Sequence, residues 1–280
     1  MLDKNRQRPI RRQNVESTES FAPRAQRFNP IELPSKTFLE GSGFSKFIFD
    51  WANQYNNSSY MLTKENVSKI LELAADGIEQ ESQLCEEQYD RKKGIEFAKK
   101  LREMKNQSLS DIGKYCIYIY TVECFLYLVL NYTLRNEDQS KLKTLGPYCF
   151  LLQNSLWNCR ETNKQTQQRV YRGGRCKIQH IEQYKSAIGQ IRCWSAFSST
   201  TKKPEVTNTF TASLDPDEVC TVFIIDIIDR PFTESFGLDI SSLSAIKKEA
   251  EVLLPAGINF TIISVEYDKT ARKCTIHLTI

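Results

Sequence analysis

The sequence predicts an α+β fold in which helices come first and strands follow. Two observations carry this. Before about residue 165, apolar residues recur at helical spacing; after it, short runs rich in β-branched and aromatic residues are bounded by turn residues. Between the two patterns lies a polar connector, residues 159–168. A run of helices followed by a run of strands argues against a repeating strand–helix–strand unit.

Taken in order, residues 44–52 are a short aromatic-rich segment within the region of helical periodicity. Thr63 precedes a helix start, and Val67, Ile70, Leu71 and Leu73 follow at helical spacing. Residues 82–104 carry many charges and predict a long exposed helix. Residues 110–134 begin with a capping serine and predict one further helix. Its apolar run, 116–130, is too short to span a membrane and is interrupted by Glu123, so a buried helix is expected. Gly146-Pro147 is expected to break the chain before a helix at 148–157. Strands are expected at 169–172, 193–198, 219–228, 250–254, 258–266 and 273–280, with a helix at 178–188 between the first two.

The net charge of +4 is localised. Residues 1–30 hold seven basic and three acidic groups, which accounts for the whole excess. The basic character therefore belongs to a tail, expected to be disordered over 1–35, and the folded unit is expected over 36–280. A basic arm can touch RNA, acidic lipid or an acidic partner, but a solvated tail is the plainer reading. Nucleic acid is not the expected partner. The nine cysteines show no zinc-ligand spacing, and the N-terminus has no apolar core of a leader. The expectation is a monomeric cytoplasmic protein with reduced thiols and no bound metal.

Three short motifs carry the chemistry. In Val170-Tyr171-Arg172-Gly173-Gly174, an arginine ends an apolar strand and two glycines follow. A guanidinium fork matches pyrophosphate oxygens, and glycines let a backbone approach a flat ring. In Trp194–Thr201, alternation places Ser199 and Thr201 on one face and Thr200 on the other. In Lys248-Glu249-Ala250-Glu251, alternation on a strand would project both carboxylates to one side. Singly, the first two read more simply as a surface arginine before a turn and a hydroxyl-rich strand end. The third reads equally as a solvated strand entry.

Together and in this order, Arg172, Ser199-Thr200-Thr201 and Glu249-Ala250-Glu251 resemble the arginine-type mono-ADP-ribosyltransferases. The stretch 237–244 resembles the turn region before that family's glutamates. Tyr120-Thr121, Tyr127, Asn131 and Leu134-Arg135 are similar to its helical region. The likeness covers roughly residues 45–275. It implies a mainly antiparallel β core of two small packed sheets, with an NAD cleft between them. It implies NAD as co-substrate and an arginine-containing protein as acceptor. By resemblance, Glu251 is the catalytic carboxylate that stabilises positive charge on the ribose, and Glu249 receives the acceptor guanidinium. Arg172 holds NAD phosphate, and the Gly173 backbone meets the nicotinamide amide. Ser199 binds the ribose and braces Glu251, and Phe210 stacks on a ring. The rival readings are an NAD glycohydrolase with water as acceptor and a non-enzymatic NAD-binding or interaction protein.

Overall fold

The computed structural model describes residues 43–159, 168–210, 214–228 and 237–280. The expected basic tail and nearly all of the polar connector lie outside them. The helical half comprises α1 (Lys46–Tyr55), α2 (Val67–Gln83), α3 (Gln88–Glu103), α4 (Leu109–Thr121), α5 (Phe125–Asn136) and α6 (Leu142–Cys159). The second half comprises β1 (Gln168–Lys177), α7 (Ile178–Ser186), β2 (Ile191–Trp194), β3 (Ser198–Thr201), β4 (Glu218–Ile227), β5 (Leu238–Asp239), β6 (Glu251–Leu254), β7 (Ile258–Asp268) and β8 (Lys273–Thr279).

Helices before strands is what the structure shows, but several boundaries are corrected by contacts distant in sequence. The long helix expected at 82–104 is two: Ser82 and Gln83 end α2, and α3 begins only at Gln88. The single helix expected at 110–134 is also two, α4 and α5, bent by 92°. Ser108, not Ser110, caps α4, its hydroxyl accepting the Asp111 N–H at 3.1 Å. The break lies where Val122 and Cys124 are extended. There the first N–H of α5, on Phe125, donates to the carboxylate of Asp90 in α3 at 2.9 Å. A helix end needs an acceptor for such an orphan donor, and here another helix supplies it. No single helix among the described residues is long and apolar enough to cross a membrane.

Pro147 does not break the chain; it lies inside α6. Its missing N–H costs one helical bond. Burial offsets that cost: α6 is the central helix, and its residues 144–152 are all buried. Gly146 allows this packing. A Cβ there would stand 2.3 Å from the Trp51 ring, so only glycine lets α1 lie so close to α6.

The strands form one eight-stranded mixed sheet, in the order β2-β7-β8-β4-β1-β3-β6-β5. This corrects the expectation of two sheets, while the pairing is mainly antiparallel as expected. The β4–β8 pair is parallel, and β1 pairs both with β4 and with β3, so hydrogen bonding runs on across the middle. The join is narrow: β1 and β3 pair in register at Tyr171–Thr201. The segment expected as one strand at 193–198 is split between opposite parts of this sheet, because β2 lies at the edge on β7 whereas β3 joins β1 to β6. Packing explains the split. Trp194 belongs to a core formed by α7 and the sheet, while Phe197 belongs to the core of the helical half.

The short strand β6 stands between these two cores. Leu253 packs with the helices, and Val252 and Leu254 pack with the other core. Alternation then puts Glu251 on the same side as Leu253, facing the helices. None of the nine cysteines forms a disulfide.

Candidate active site

The site forms where β1 and β3 part. β1 pairs with β4 along its entire length, but past Tyr171 its register with β3 ends. The strand does not stop at Arg172, as the sequence led us to expect; it continues through both glycines to Lys177. Gly173 is buried opposite Val222 of β4, and its other edge faces the side that β3 has left. Arg172 is only 2% exposed. One of its terminal nitrogens donates to the backbone carbonyl of Ser199 at 2.8 Å, tying the parting strands together.

On β3 every residue is buried, and every hydroxyl has an assigned partner. Ser199 donates to Oε1 of Glu251. Thr200 donates to the Val252 carbonyl at 2.7 Å, and Thr201 to the Glu249 carbonyl at 2.7 Å. Ser199 and Thr201 thus reach the segment bearing the glutamates, while Thr200 fixes the β6 backbone. The Ser-Thr-Thr stretch is a clamp on the Glu-Ala-Glu segment.

The two carboxylates are not both on a strand. Glu249 ends a 3-10 turn, Lys247–Glu249. Ala250 is left-handed, at φ 47° and ψ 47°, and Glu251 opens β6. Strand alternation therefore does not relate the glutamates; the left-handed residue between them does. A non-glycine residue in that region carries a local cost, here met by two bonds that hold the turn. The Lys202 N–H donates to the Ala250 carbonyl at 3.1 Å, and Thr201 holds Glu249 as described. Both glutamates are buried, Glu251 to 1% exposure. A carboxylate so buried needs donors.

The second donor to Glu251 was not anticipated. Ser244 gives its hydroxyl to Oε2 of Glu251 at 3.1 Å. The sequence placed it in the approach to the glutamates, but a serine in a serine-rich turn carries no signal of its own. Tyr120 of α4 packs edge-on to Phe197 and accepts a hydrogen bond from Asn131 at 3.0 Å. Burial pushes the Tyr120 hydroxyl far above its ordinary pKa and Tyr127 adds to this, while the Asn131 bond opposes it. The charge of Glu251 raises it and that of Arg172 lowers it, so α4 lies within reach of both. Phe210 closes the 3-10 helix Pro204–Phe210, and its side chain lies outside the described residues.

Arg172, Ser199, Glu249 and Glu251 are thus brought together with Gly173. The model of the NAD:arginine ADP-ribosyltransferase family matches residues 50–279. A comparison with curated proteins gives no match. Among solved structures, the ADP-ribosyltransferase HopU1 of Pseudomonas syringae superposes with a TM-score of 0.51 at 18% identity, over 78% of this chain and 98% of that one. The type III effector XopAI from Xanthomonas axonopodis gives 0.53 at 15% identity, over 89% and 95%. At such identities the likeness is one of fold. Fold and family match together define an NAD-dependent transferase. The chain belongs to the NAD:arginine ADP-ribosyltransferase family, which uses NAD as co-substrate.

Proposed function

We propose that the chain transfers ADP-ribose from NAD to an arginine side chain of an acceptor protein, releasing nicotinamide. One observation carries this reading: the buried carboxylate of Glu251 is bonded by Ser199, Ser199 is bonded by Arg172, and Glu249 stands beside them. The residues suit NAD. Arg172 offers a guanidinium to pyrophosphate. The strand edge at Gly173 offers amide and carbonyl to the nicotinamide carboxamide without a side chain in the way. Phe210 is assigned to ring stacking by resemblance alone.

Nicotinamide leaves from a cationic pyridinium and takes the bonding electrons with it, so no general acid is required. The need is for negative charge beside the ribose as the bond breaks. Glu251 supplies it from a fixed, buried position, where electrostatic stabilisation is strong. A carboxylate offers about four acceptor positions. The serines take one on each oxygen, which leaves capacity for a ribose hydroxyl. Glu249 then pairs with the incoming guanidinium, whose nitrogen forms the new bond to the sugar carbon and gives up a proton to the Glu249 carboxylate. Forked carboxylate–guanidinium pairing favours arginine over water as the acceptor.

The direct test is incubation with labelled NAD and either arginine analogues or candidate proteins, followed by mass spectrometry of the modified side chain. Modified arginine is the expected product. Nicotinamide release with no modified side chain would instead make the chain a glycohydrolase. Glu251→Gln is expected to lower both transfer and hydrolysis by several orders of magnitude, with the circular dichroism spectrum unchanged. Glu249→Gln is expected to depress arginine modification far more than NAD hydrolysis. Equal losses in the two reactions would remove Glu249 from its role.

A further inference from the structure

We propose that Ser244 is a positioning residue for Glu251, held on a turn that Thr121 of the helical half anchors. The inference rests on the reading of Glu251 as the catalytic carboxylate.

Hydrogen-bond directions support it. The Ser244 oxygen accepts the N–H of Ile246 at 3.1 Å. An amide can only donate, so this bond occupies a lone pair and leaves the hydroxyl proton for another acceptor. The acceptor is Oε2 of Glu251, 3.1 Å away. Ser199, from the neighbouring strand, holds the other oxygen. The carboxylate is therefore gripped on both oxygens by two elements separate from its own strand, which fixes the rotation of its terminal bond. Both serines are buried, Ser244 to 3% exposure, so water does not compete for these bonds.

The turn bearing Ser244 is itself fastened. The amides of Leu243 and Ser244 donate to the Ile240 carbonyl at 2.8 and 2.7 Å, and the Ile240 amide donates to the Glu251 carbonyl at 2.9 Å. Asp239 starts the turn by accepting the Ser241 N–H at 2.9 Å, and Lys202 holds Asp239 at 2.6 Å. At the far end, the Ala245 N–H donates to the hydroxyl oxygen of Thr121 at 2.8 Å. Thr121 is the last residue of α4, and its own proton goes to the Tyr118 carbonyl at 2.7 Å. A fully buried threonine at a helix end thus ties the helical half to the turn that sets the Glu251 carboxylate. A catalytic group must be held within a fraction of an ångström, and such supporting bonds do this.

The test compares wild type with Ser244→Ala, Ser244→Thr, Thr121→Val and Glu251→Gln in NAD hydrolysis and in transfer to agmatine, with NAD affinity measured by titration. Loss of a hydrogen bond to a charged group predicts that Ser244→Ala lowers kcat by about 10- to 100-fold in both reactions. NAD affinity and KM for agmatine are expected to hold within about threefold, as for an interaction that acts on the transition state. Ser244→Thr keeps the hydroxyl and is expected to recover most of the loss. Thr121→Val keeps the shape and is expected to lower kcat in the same way by a smaller factor; it carries the test if Ser244→Ala does not fold. A merely structural turn would disturb Glu249 as well, and would weaken transfer more than hydrolysis. That result would overturn the proposal. So would Ser244→Ala at wild-type kcat beside an inactive Glu251→Gln, or Ser244→Thr no better than Ser244→Ala. An active Glu251→Gln would overturn the catalytic reading beneath it.

Discussion

Arg172 is an arginine inside the protein, and a buried guanidinium is costly unless its donors are met. The Ser199 carbonyl meets one of them where the strand ladder has ended. The residue thus serves the sheet and, in the proposed function, the co-substrate. Arg172→Lys keeps the charge but loses the planar fork. Steady-state kinetics should then show kcat/KM for NAD falling by about 10-fold or more, mostly through KM. The residues of the Arg–Ser–Glu set were legible in the sequence through their order and their strand contexts taken together, not through any one of them. Their geometry was not. The relation of Glu249 to Glu251 depends on left-handed Ala250, and alanine gives no warning of that conformation. Ser244 was invisible for another reason: its partner is fixed by the path of a turn, not by spacing along a strand.

Helix ends are where local signals and distant contacts compete. α4 carries its own cap in Ser108, a choice readable from sequence once its register is known. α5 carries none; Asp90, on another helix, caps it. Asp90→Ala should destabilise the protein by about 1–2 kcal/mol, as removal of an N-cap does, read from the midpoint of urea unfolding. A midpoint unmoved by that change would mean the bond contributes nothing to holding α5. The same competition explains Pro147. Proline is a strong local breaker, yet α6 continues through it because α2, α4 and the Trp51 ring of α1 are packed on this helix. At β6 the sequence placed the strand well, since an apolar, β-branched run bounded by turns is a local pattern, whereas β3 begins only at Ser198, where the expected strand ended.

In the whole molecule, two hydrophobic cores meet at β6, and the site lies along their boundary. One titrating group is built into the second half. His180 on α7 is buried, and its Nδ1 has no hydrogen-bond partner among the described residues. Burial lowers its pKa, and nearby Lys177 lowers it further while Asp217 opposes. The folded state therefore favours neutral imidazole. Stability from this group is complete above the unfolded value near pH 6.5 and is lost as pH falls through the lowered folded value. Thermal unfolding followed across this range should show Tm falling on acidification, with a shallower fall in His180→Gln. Identical profiles for the two proteins would exclude His180 as the source. By itself the sequence determined the order of helices and strands, the strand-borne motifs and the family likeness, because periodicity and residue type are properties of neighbours in the chain. Only the tertiary structure decided that the strands make one mixed sheet, that two predicted helices divide, and that Glu251 is held from both sides. Those outcomes depend on donors and acceptors that meet across long stretches of chain, and no local pattern encodes such meetings.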